Sequence, residues 1–464
     1  MNKIKKIGMA CTGGCALVLL IIYGIGIFYF SKHLFANTSI NEINCSMLSA
    51  DEAISYLDGK IEEYTLHIIG RNNLKQEISG QEVDLKVAWT EVINQIVENQ
   101  NKYEWPKYLI SGQNYNSEYV ISLNEEKLFS KIKNWNEIKN KNAMKPENAQ
   151  IGAYSEAEKQ YILEVEKQGS YLIEKNVYES VKEAMLSLKT ELDLEEEQCY
   201  LKPRIDSTDK KLLRVWNEMN QYVSTEIIYD FGTQTEILDG DIIHEWITKK
   251  NYVVDIDEEA VANYVKELAN KYDTAYRKHN FKTADGNEIV ISQGHYGWWM
   301  NRKEETKELL DIIRSGTKET RTPVYYQKAA SYEQPDYGDN YVEIDLGKQH
   351  LYLWKDGKII LESDFVSGNL ANGNATPEGI YPITYKERNT VLRGTGYASP
   401  VSYWMPFNGD IGMHDASWRK SFGGSIYKTN GSHGCVNLPV DIAQQIYEEV
   451  YTGMAVICYY SSCE

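Results

Sequence analysis

The residues most suited to chemistry surround a cysteine near the C-terminus, in the segment Gly-Ser-His-Gly-Cys-Val-Asn at 431–437. A cysteine attacks as its thiolate and needs a base within hydrogen-bond reach. His433 lies two residues before Cys435 and shares its face if the segment is extended. His414 lies 21 residues upstream and reaches the cysteine from a neighbouring segment. The pattern predicts a nucleophilic Cys–His site and leaves the base open between the two histidines.

Gly434 lets the backbone approach a substrate carbonyl closely, because it carries no side chain. The N–H groups of Gly434 and Cys435 are then predicted to hold the oxyanion that forms on attack.

Two other interpretations of the same residues stay open. A cysteine is often a small, inert, buried hydrophobe. His414, His433 and Cys435 are also three potential metal ligands, but the fourth ligand is then Asp415, which adjoins His414 and is awkwardly placed. We predict neither a metal nor a cofactor.

Length and charge limit the class of protein. The chain has 464 residues, which is too long for one ordinary core and predicts several domains. Its 49 Lys and Arg against 67 Asp and Glu give a net charge of −18, so nucleic acid is not an expected partner. The 35 tyrosines suit half-exposed surfaces that contact sugars or peptides, although compositional bias explains them equally well.

The N-terminus predicts a membrane anchor. Three lysines in the tail 1–6 precede an uncharged run at 7–30, which is long enough for a transmembrane helix. A connector at 31–47 then leads to a body outside the cytoplasm. Five of the seven cysteines follow the run, and this odd number predicts one free thiol, Cys435. The sequence does not decide whether Cys458 and Cys463 pair.

The rest of the chain reads as three domains. Helical and strand patterns mix over 48–190, and a similar order returns over 191–330, so two tandem α+β modules are expected. Apolar and polar residues alternate after a polar linker, and Asp356-Gly357 is a typical hairpin turn. We therefore predict a mostly-β domain at 340–460, with one helix at 440–451.

Three segments of this last domain, 403–409, 412–416 and 431–439, resemble the L,D-transpeptidase catalytic domain (YkuD type). The family pattern is a histidine, a spacer and then Ser/Thr-His-Gly-Cys-x-Asn, and every fixed position is matched. The resemblance extends over about 340–460. Segments 272–274, 281–286 and 296–298 are less closely similar to the peptidoglycan-binding domain that often precedes it.

The resemblance implies a β-sandwich-like domain that needs no cofactor. Cys435 would attack the carbonyl between the third residue and D-Ala of a peptidoglycan stem peptide, and D-Ala would leave. An amine of a neighbouring stem would resolve the thioester, which cross-links two third residues. Carbapenems would acylate the same thiol.

The resemblance also implies roles for single residues. His414 becomes the expected base, and His433 remains the alternative. The other expected site residues shape the cysteine loop or line the acyl-donor groove: Ser432, Gly434 and Asn437 for the loop, Tyr403 and Trp404 for the groove.

Other functions remain open on sequence alone. An L,D-carboxypeptidase would use the same site with water in place of the acceptor amine. A non-catalytic wall-binding protein would keep the site as a relic. A sortase is excluded, since no arginine follows the cysteine.

Overall fold

The computed structural model describes residues 2–116, 120–394 and 396–461, with side chains from residue 14 onward except that of Tyr397. The chain divides into two compact units, one of residues 1–150 and 164–208 and one of residues 151–163 and 209–464.

A helix at Asn2–Tyr29 coincides with the predicted membrane span at 7–30. Crossing a membrane takes about 20 consecutive apolar residues. Among the residues that the structure describes, no helix is both long and apolar enough to do so. The transmembrane helix and the tail at 1–6 that it defined are therefore not supported.

The first unit is built around a three-stranded sheet. Its central strand, Thr65–Gly70, pairs antiparallel with Leu74–Ser79 and parallel with Glu191–Asp193. A helix precedes each of the two parallel strands: Ala50–Glu62, which begins with a capping box between Ser49 and Glu52, and Glu174–Leu186. The remaining helices are Trp89–Asn99, Trp105–Tyr108, Glu125–Lys133 and Asn136–Lys139. The remaining strands are Thr38–Ile40, Ile43–Asn44, Lys86–Val87, Gln113–Tyr115 and Ile121–Ser122.

The second unit begins with a module of the same topology. The strand Glu226–Asp230 pairs antiparallel with Thr235–Leu238 and parallel with Lys318–Arg321. Helices again precede the two parallel strands, at Lys210–Val223 and Arg302–Ser315. The module also contains helices Gly240–Ile243 and Glu258–Tyr272 and strands Ile247–Lys250, Val253–Ile256, His279–Lys282, Glu288–Ile291, Trp299–Met300 and Tyr325–Gln327.

The same order of helices and strands therefore occurs in both units, and the border between the two copies lies after residue 190. The strand Glu191–Asp193 completes the first sheet, so the border predicted at 190 would separate it from its partner. A hairpin of Gln150–Ser155 and Gln160–Glu164 also contributes residues 151–163 to the second unit.

The C-terminal domain is mostly β, as predicted. One sheet has the strand order Lys358–Asp364, His350–Lys355, Tyr341–Asp345, Ala455–Tyr459 and Gly379–Pro382. The other has the order Glu387–Gly394, Tyr397–Asn408, Ile411–Asp415 and Val436–Leu438. Apolar side chains from both sheets and from the helix Val440–Glu449 form one buried core, among them Val342, Phe407, Met413, Leu438 and Ile446. A short helix, Tyr427–Asn430, leads into the cysteine segment.

Local signals account for two of these elements. Asp356 and Gly357 both have positive φ, at 50° and 71°, as a two-residue hairpin turn requires. The helix Val440–Glu449 begins directly after Pro439, where a fixed backbone suits a helix start.

Candidate active site

The parallel pairing of two short strands builds the site. His414 lies opposite Asn437 in the pairing of Ile411–Asp415 with Val436–Leu438. Cys435 directly precedes the second strand, two residues before Asn437, and alternate residues of a strand share a face. The three side chains accordingly line one cavity of about 170 Å³.

Ten residues line this cavity: Leu392, Ser399, His414, Trp418, Arg419, Gly431, Ser432, His433, Cys435 and Asn437. Five of the predicted site residues are therefore brought together. Gly434, Tyr403 and Trp404 are not among the lining residues.

Two hydrogen bonds define the tautomer of the His414 ring. Nδ1 lies 2.8 Å from the Asp415 carbonyl oxygen, which only accepts, so Nδ1 carries the proton. Nε2 lies 2.9 Å from Asn437 Nδ2, which only donates, so Nε2 accepts. The amide orientation follows from Arg419, whose Nε donates to Asn437 Oδ1 at 2.9 Å. His414 thus keeps a lone pair on Nε2.

The surroundings of His414 favour this neutral form. The residue is only 4% exposed. Burial lowers the pKa of the imidazole, and the charge of Arg419 lowers it further. The carbonyl and the carboxylate of Asp415 raise it, but burial is the largest effect, so the pKa lies below its ordinary value.

The Cys435 thiol is half-buried and protonated at neutral pH. Burial raises its pKa to about 11, although a hydrogen bond from the Gly412 backbone partly opposes this. Sγ donates to the Asp410 carbonyl oxygen over 3.6 Å. For these two described residues, no hydrogen bond joins Sγ to Nε2 of His414. The raised pKa of the thiol and the lowered pKa of the imidazole both favour a neutral pair in one cavity, and an attack by this thiol would require proton transfer to a base.

The Ser432 side chain forms hydrogen bonds within the cysteine loop. Its Oγ donates to the Cys435 carbonyl oxygen at 2.5 Å and accepts from the Gly434 N–H at 3.0 Å. The Gly434 N–H, predicted to face the oxyanion, is thus used within the loop, and only the Cys435 N–H of that predicted pair remains a candidate. Gly434 has φ of 127°, and an added Cβ would lie 3.2 Å from Ile411 Cδ1, so glycine is required here.

A second loop, 366–376, holds the cysteine loop in place. The Ser432 N–H donates to the Ser367 carbonyl, and the Asn369 N–H donates to the Ser432 carbonyl, both at 2.9 Å. Thr376 Oγ1 donates to the Gly434 carbonyl at 2.7 Å and accepts from the Gly368 N–H at 3.0 Å. These contacts fix the backbone on which Cys435 depends.

Tyr403 and Trp404, predicted to line the donor groove, lie behind the site. Trp404 is buried, its Nε1 donates to the Tyr385 hydroxyl at 3.2 Å, and its ring centroid lies 5.9 Å from that of His414. Tyr403 packs against Tyr447, with ring centroids 5.5 Å apart. His433 is exposed at the rim of the cavity.

Sequence reasoning missed three residues here. Asp415 was considered only as a metal ligand, but its Oδ1 accepts from the Ser402 and Tyr403 N–H groups at 2.7 and 2.8 Å. No group of three or more potential metal ligands occurs among the described residues. Trp418 and Arg419 follow His414 within five residues, and this proximity was the only signal that pointed to them.

Among the cysteines whose side chains the structure describes, Cys435 alone lines the cavity. Cys45, Cys199 and Cys458 are buried, and no disulfide joins any two of the described cysteines. Cys463 lies outside the described residues, so its pairing with Cys458 stays open.

Comparison with known proteins identifies the class. Residues 339–458 match the family model "L,D-transpeptidase catalytic domain", and residues 210–321 match "Putative peptidoglycan binding domain". The chain is 34% identical to an Enterococcus faecium L,D-transpeptidase solved as a cysteine-to-serine mutant, over 54% of this chain and 100% of that one, with a TM-score of 0.43. The chain therefore belongs to the L,D-transpeptidase family.

Two further proteins are similar to parts of the chain. The catalytic domain of the Enterococcus faecium L,D-transpeptidase, solved by NMR acylated by ertapenem, is 40% identical over 26% of this chain and 97% of that one, with a TM-score of 0.25. "Putative L,D-transpeptidase YciB" of Bacillus subtilis (strain 168) is 26% identical over 158 residues, which are 31% of this chain and 79% of that protein.

Proposed function

We propose that the protein is a peptidoglycan L,D-transpeptidase that acts through a thioester on Cys435. Membership of the family supports this reaction class. The observation that carries the residue assignment is the Nδ1–H tautomer of His414, which keeps the Nε2 lone pair in the cavity that contains the thiol.

The first half-reaction transfers the donor acyl group to sulfur. As Sγ bonds to the carbonyl carbon between the third residue and D-Ala, its proton moves to Nε2 of His414. The negative charge develops on the carbonyl oxygen, where the Cys435 N–H is the candidate donor. When the C–N bond breaks, Nε2 returns the proton to the amine of D-Ala, which leaves.

The second half-reaction forms the cross-link. A neutral side-chain amine of a neighbouring third residue attacks the thioester carbonyl and loses its proton to Nε2. The C–S bond breaks, and the proton from Nε2 regenerates the thiol. One peptide bond replaces another through a thioester, so the exchange needs no outside energy source.

Asn437 has a positioning role in this scheme. Its Nδ2–H holds the Nε2 lone pair at 2.9 Å in the resting site, so the thiol must displace it before proton transfer. Ser432 and Gly434 set the loop conformation. Trp404 packs against the imidazole of His414 and so helps to hold the ring in place. Tyr403 lies in the same strand as Trp404 and supports that strand. His433, at the rim, remains the alternative base.

The domain order suggests a location at the cell wall. A peptidoglycan-binding module precedes the catalytic domain, which we place at 340–460. This module, which matches the family model over 210–321, and the topologically similar module before it, whose sheet includes Glu191–Asp193, would bind the wall or set the distance of the catalytic domain from it.

Incubation of the purified protein with disaccharide-tetrapeptide, followed by mass spectrometry, tests the proposal. A transpeptidase yields dimers that have lost one D-Ala. Trimmed tripeptide without dimers indicates an L,D-carboxypeptidase, and unchanged tetrapeptide indicates a relic site. His414→Gln should abolish the reaction and His433→Gln should only slow it; the reverse order would make His433 the base.

A further inference from the structure

Arg419 is a cation in the wall of the catalytic cavity. The chain turns after the strand Ile411–Asp415, where the Arg419 N–H donates to the Ala416 carbonyl at 3.0 Å. This turn places the arginine side chain beside Cys435 and His414 as a lining residue. Arg419 Nε donates to Asn437 Oδ1, and Asn437 Nδ2 donates to His414 Nε2, both at 2.9 Å, so one amide group connects the guanidinium to the imidazole.

The hydrogen-bond partners of the Arg419 guanidinium are neutral. Nε donates to Asn437 Oδ1 and one terminal nitrogen donates to the Asn430 carbonyl, both at 2.9 Å. Among the described residues, no carboxylate lies within ion-pair distance of it. Because a guanidinium has five N–H donors, three remain for another acceptor.

An arginine without an acidic partner is unexpected in this position. The chain has 18 more acidic than basic side chains, so carboxylates are abundant. Burial lowers the pKa of Arg419, and its hydrogen-bond partners, the Asn437 amide and the Asn430 carbonyl, carry no negative charge that would offset this desolvation. A bound anion would supply this missing compensation.

The chemistry of the donor identifies the anion. In the proposed reaction the leaving D-Ala carries a free α-carboxylate, separated from the scissile nitrogen by a single carbon atom. When the carbonyl carbon is at Sγ, this carboxylate therefore lies within the same cavity. A planar guanidinium matches a carboxylate with two parallel hydrogen bonds.

We propose that Arg419 binds the α-carboxylate of the D-Ala leaving group and so selects donor stems that end at their fourth residue. This inference rests on the proposed function. It makes Arg419 a specificity-determining residue, in addition to its hydrogen bond with Asn437.

The test compares two donors on the full chain: disaccharide-tetrapeptide with a free C-terminal carboxylate, and the same compound as its carboxamide. The measured quantity is kcat/KM for release of D-alanine or D-alaninamide, followed by mass spectrometry. The wild type should prefer the acid by about 10- to 100-fold, the range that charge-assisted hydrogen bonds provide. Arg419→Gln should reduce this preference to below about threefold, and Arg419→Lys should retain part of it.

Arg388→Gln is the matched control. Arg388 lies over Tyr403 and Tyr447 and pairs with Glu448 at 3.7 Å, away from the cavity lining. This variant should keep the wild-type preference for the acid.

Three results would overturn the proposal. Equal wild-type rates on both donors would show that the carboxylate is not recognised. If Arg419→Gln and Arg419→Lys each lowered the rates on the acid and on the carboxamide donor by the same factor, the role of Arg419 would be only to hold Asn437. Release of neither leaving group by the wild type would refute the proposed function itself together with this inference. If Arg419→Gln does not fold, the acid-to-amide ratio of Arg419→Lys decides.

Discussion

The resting protonation state of the site predicts how the thiol responds to pH. A pKa of about 11 leaves about one part in 10⁴ of Cys435 as thiolate at pH 7, against about one part in 100 for an ordinary thiol of pKa 9.0. Because burial lowers the pKa of His414 from its ordinary value of 6.5, the imidazole is mostly neutral at pH 6.5 and above. Raising the pH should therefore increase thiolate without a plateau near neutrality.

Alkylation by iodoacetamide measures this directly. The rate at Cys435, followed by peptide mass spectrometry, should rise about tenfold per pH unit from about pH 7 to pH 10. Acylation by the tetrapeptide donor should behave differently, because it needs a neutral imidazole and a thiol that still carries its proton. Its rate should be nearly flat between an acid limb below pH 6.5 and a basic limb near pH 11.

The control is His414→Gln, which should keep the rise in alkylation and lose the acylation. An alkylation rate that levels off between about pH 5 and pH 8 would show a preformed thiolate–imidazolium pair. That result would refute the assignment of a neutral pair.

Three further substitutions test the supports of the site. Asn437→Ala removes the amide that orients the imidazole in the resting site, so the ring should be less well aligned with the thiol and the acylation rate should fall about 10- to 100-fold with little change in melting temperature, whereas an unchanged or higher rate would contradict its positioning role. Gly434→Ala forces a side chain to φ of 127° beside Ile411 and should cost about 1–3 kcal/mol in the free energy of unfolding, measured in urea. Thr376→Val removes the donor to the Gly434 carbonyl and the acceptor of the Gly368 N–H, so we expect a loss of about 1–3 kcal/mol, and a change below 0.5 kcal/mol would show that these groups find other partners.

The sequence was sufficient where local signals determine local structure. The Asp356-Gly357 turn and the helix after Pro439 need only their own backbone preferences, and the structure has both. The alternation that begins at 342 predicted a mostly-β domain. Cys435 and His414 were predicted as a pair because their residue types are rare and their motif is specific, and the structure places both in one cavity.

Other features depend on pairing that no local pattern encodes. The tautomer of His414 is fixed by the Asp415 carbonyl, and this contact depends on the position of Asp415 in its strand. The amide of Asn437 is oriented by Arg419. The Gly434 N–H was assigned to the substrate because the Ser432 hydroxyl, its partner in the fold, was not foreseen. The border at 190 failed for a similar reason, since Glu191–Asp193 pairs with a strand more than 100 residues earlier.

The intact mass of the protein after brief incubation with disaccharide-tetrapeptide tests the central proposal most directly. We predict an adduct equal to the donor minus D-Ala, located on Cys435 by peptide mapping and absent from Cys435→Ala. Release of D-Ala at the wild-type rate by Cys435→Ala, or an adduct on any other residue, would contradict the assignment of Cys435 as the nucleophile.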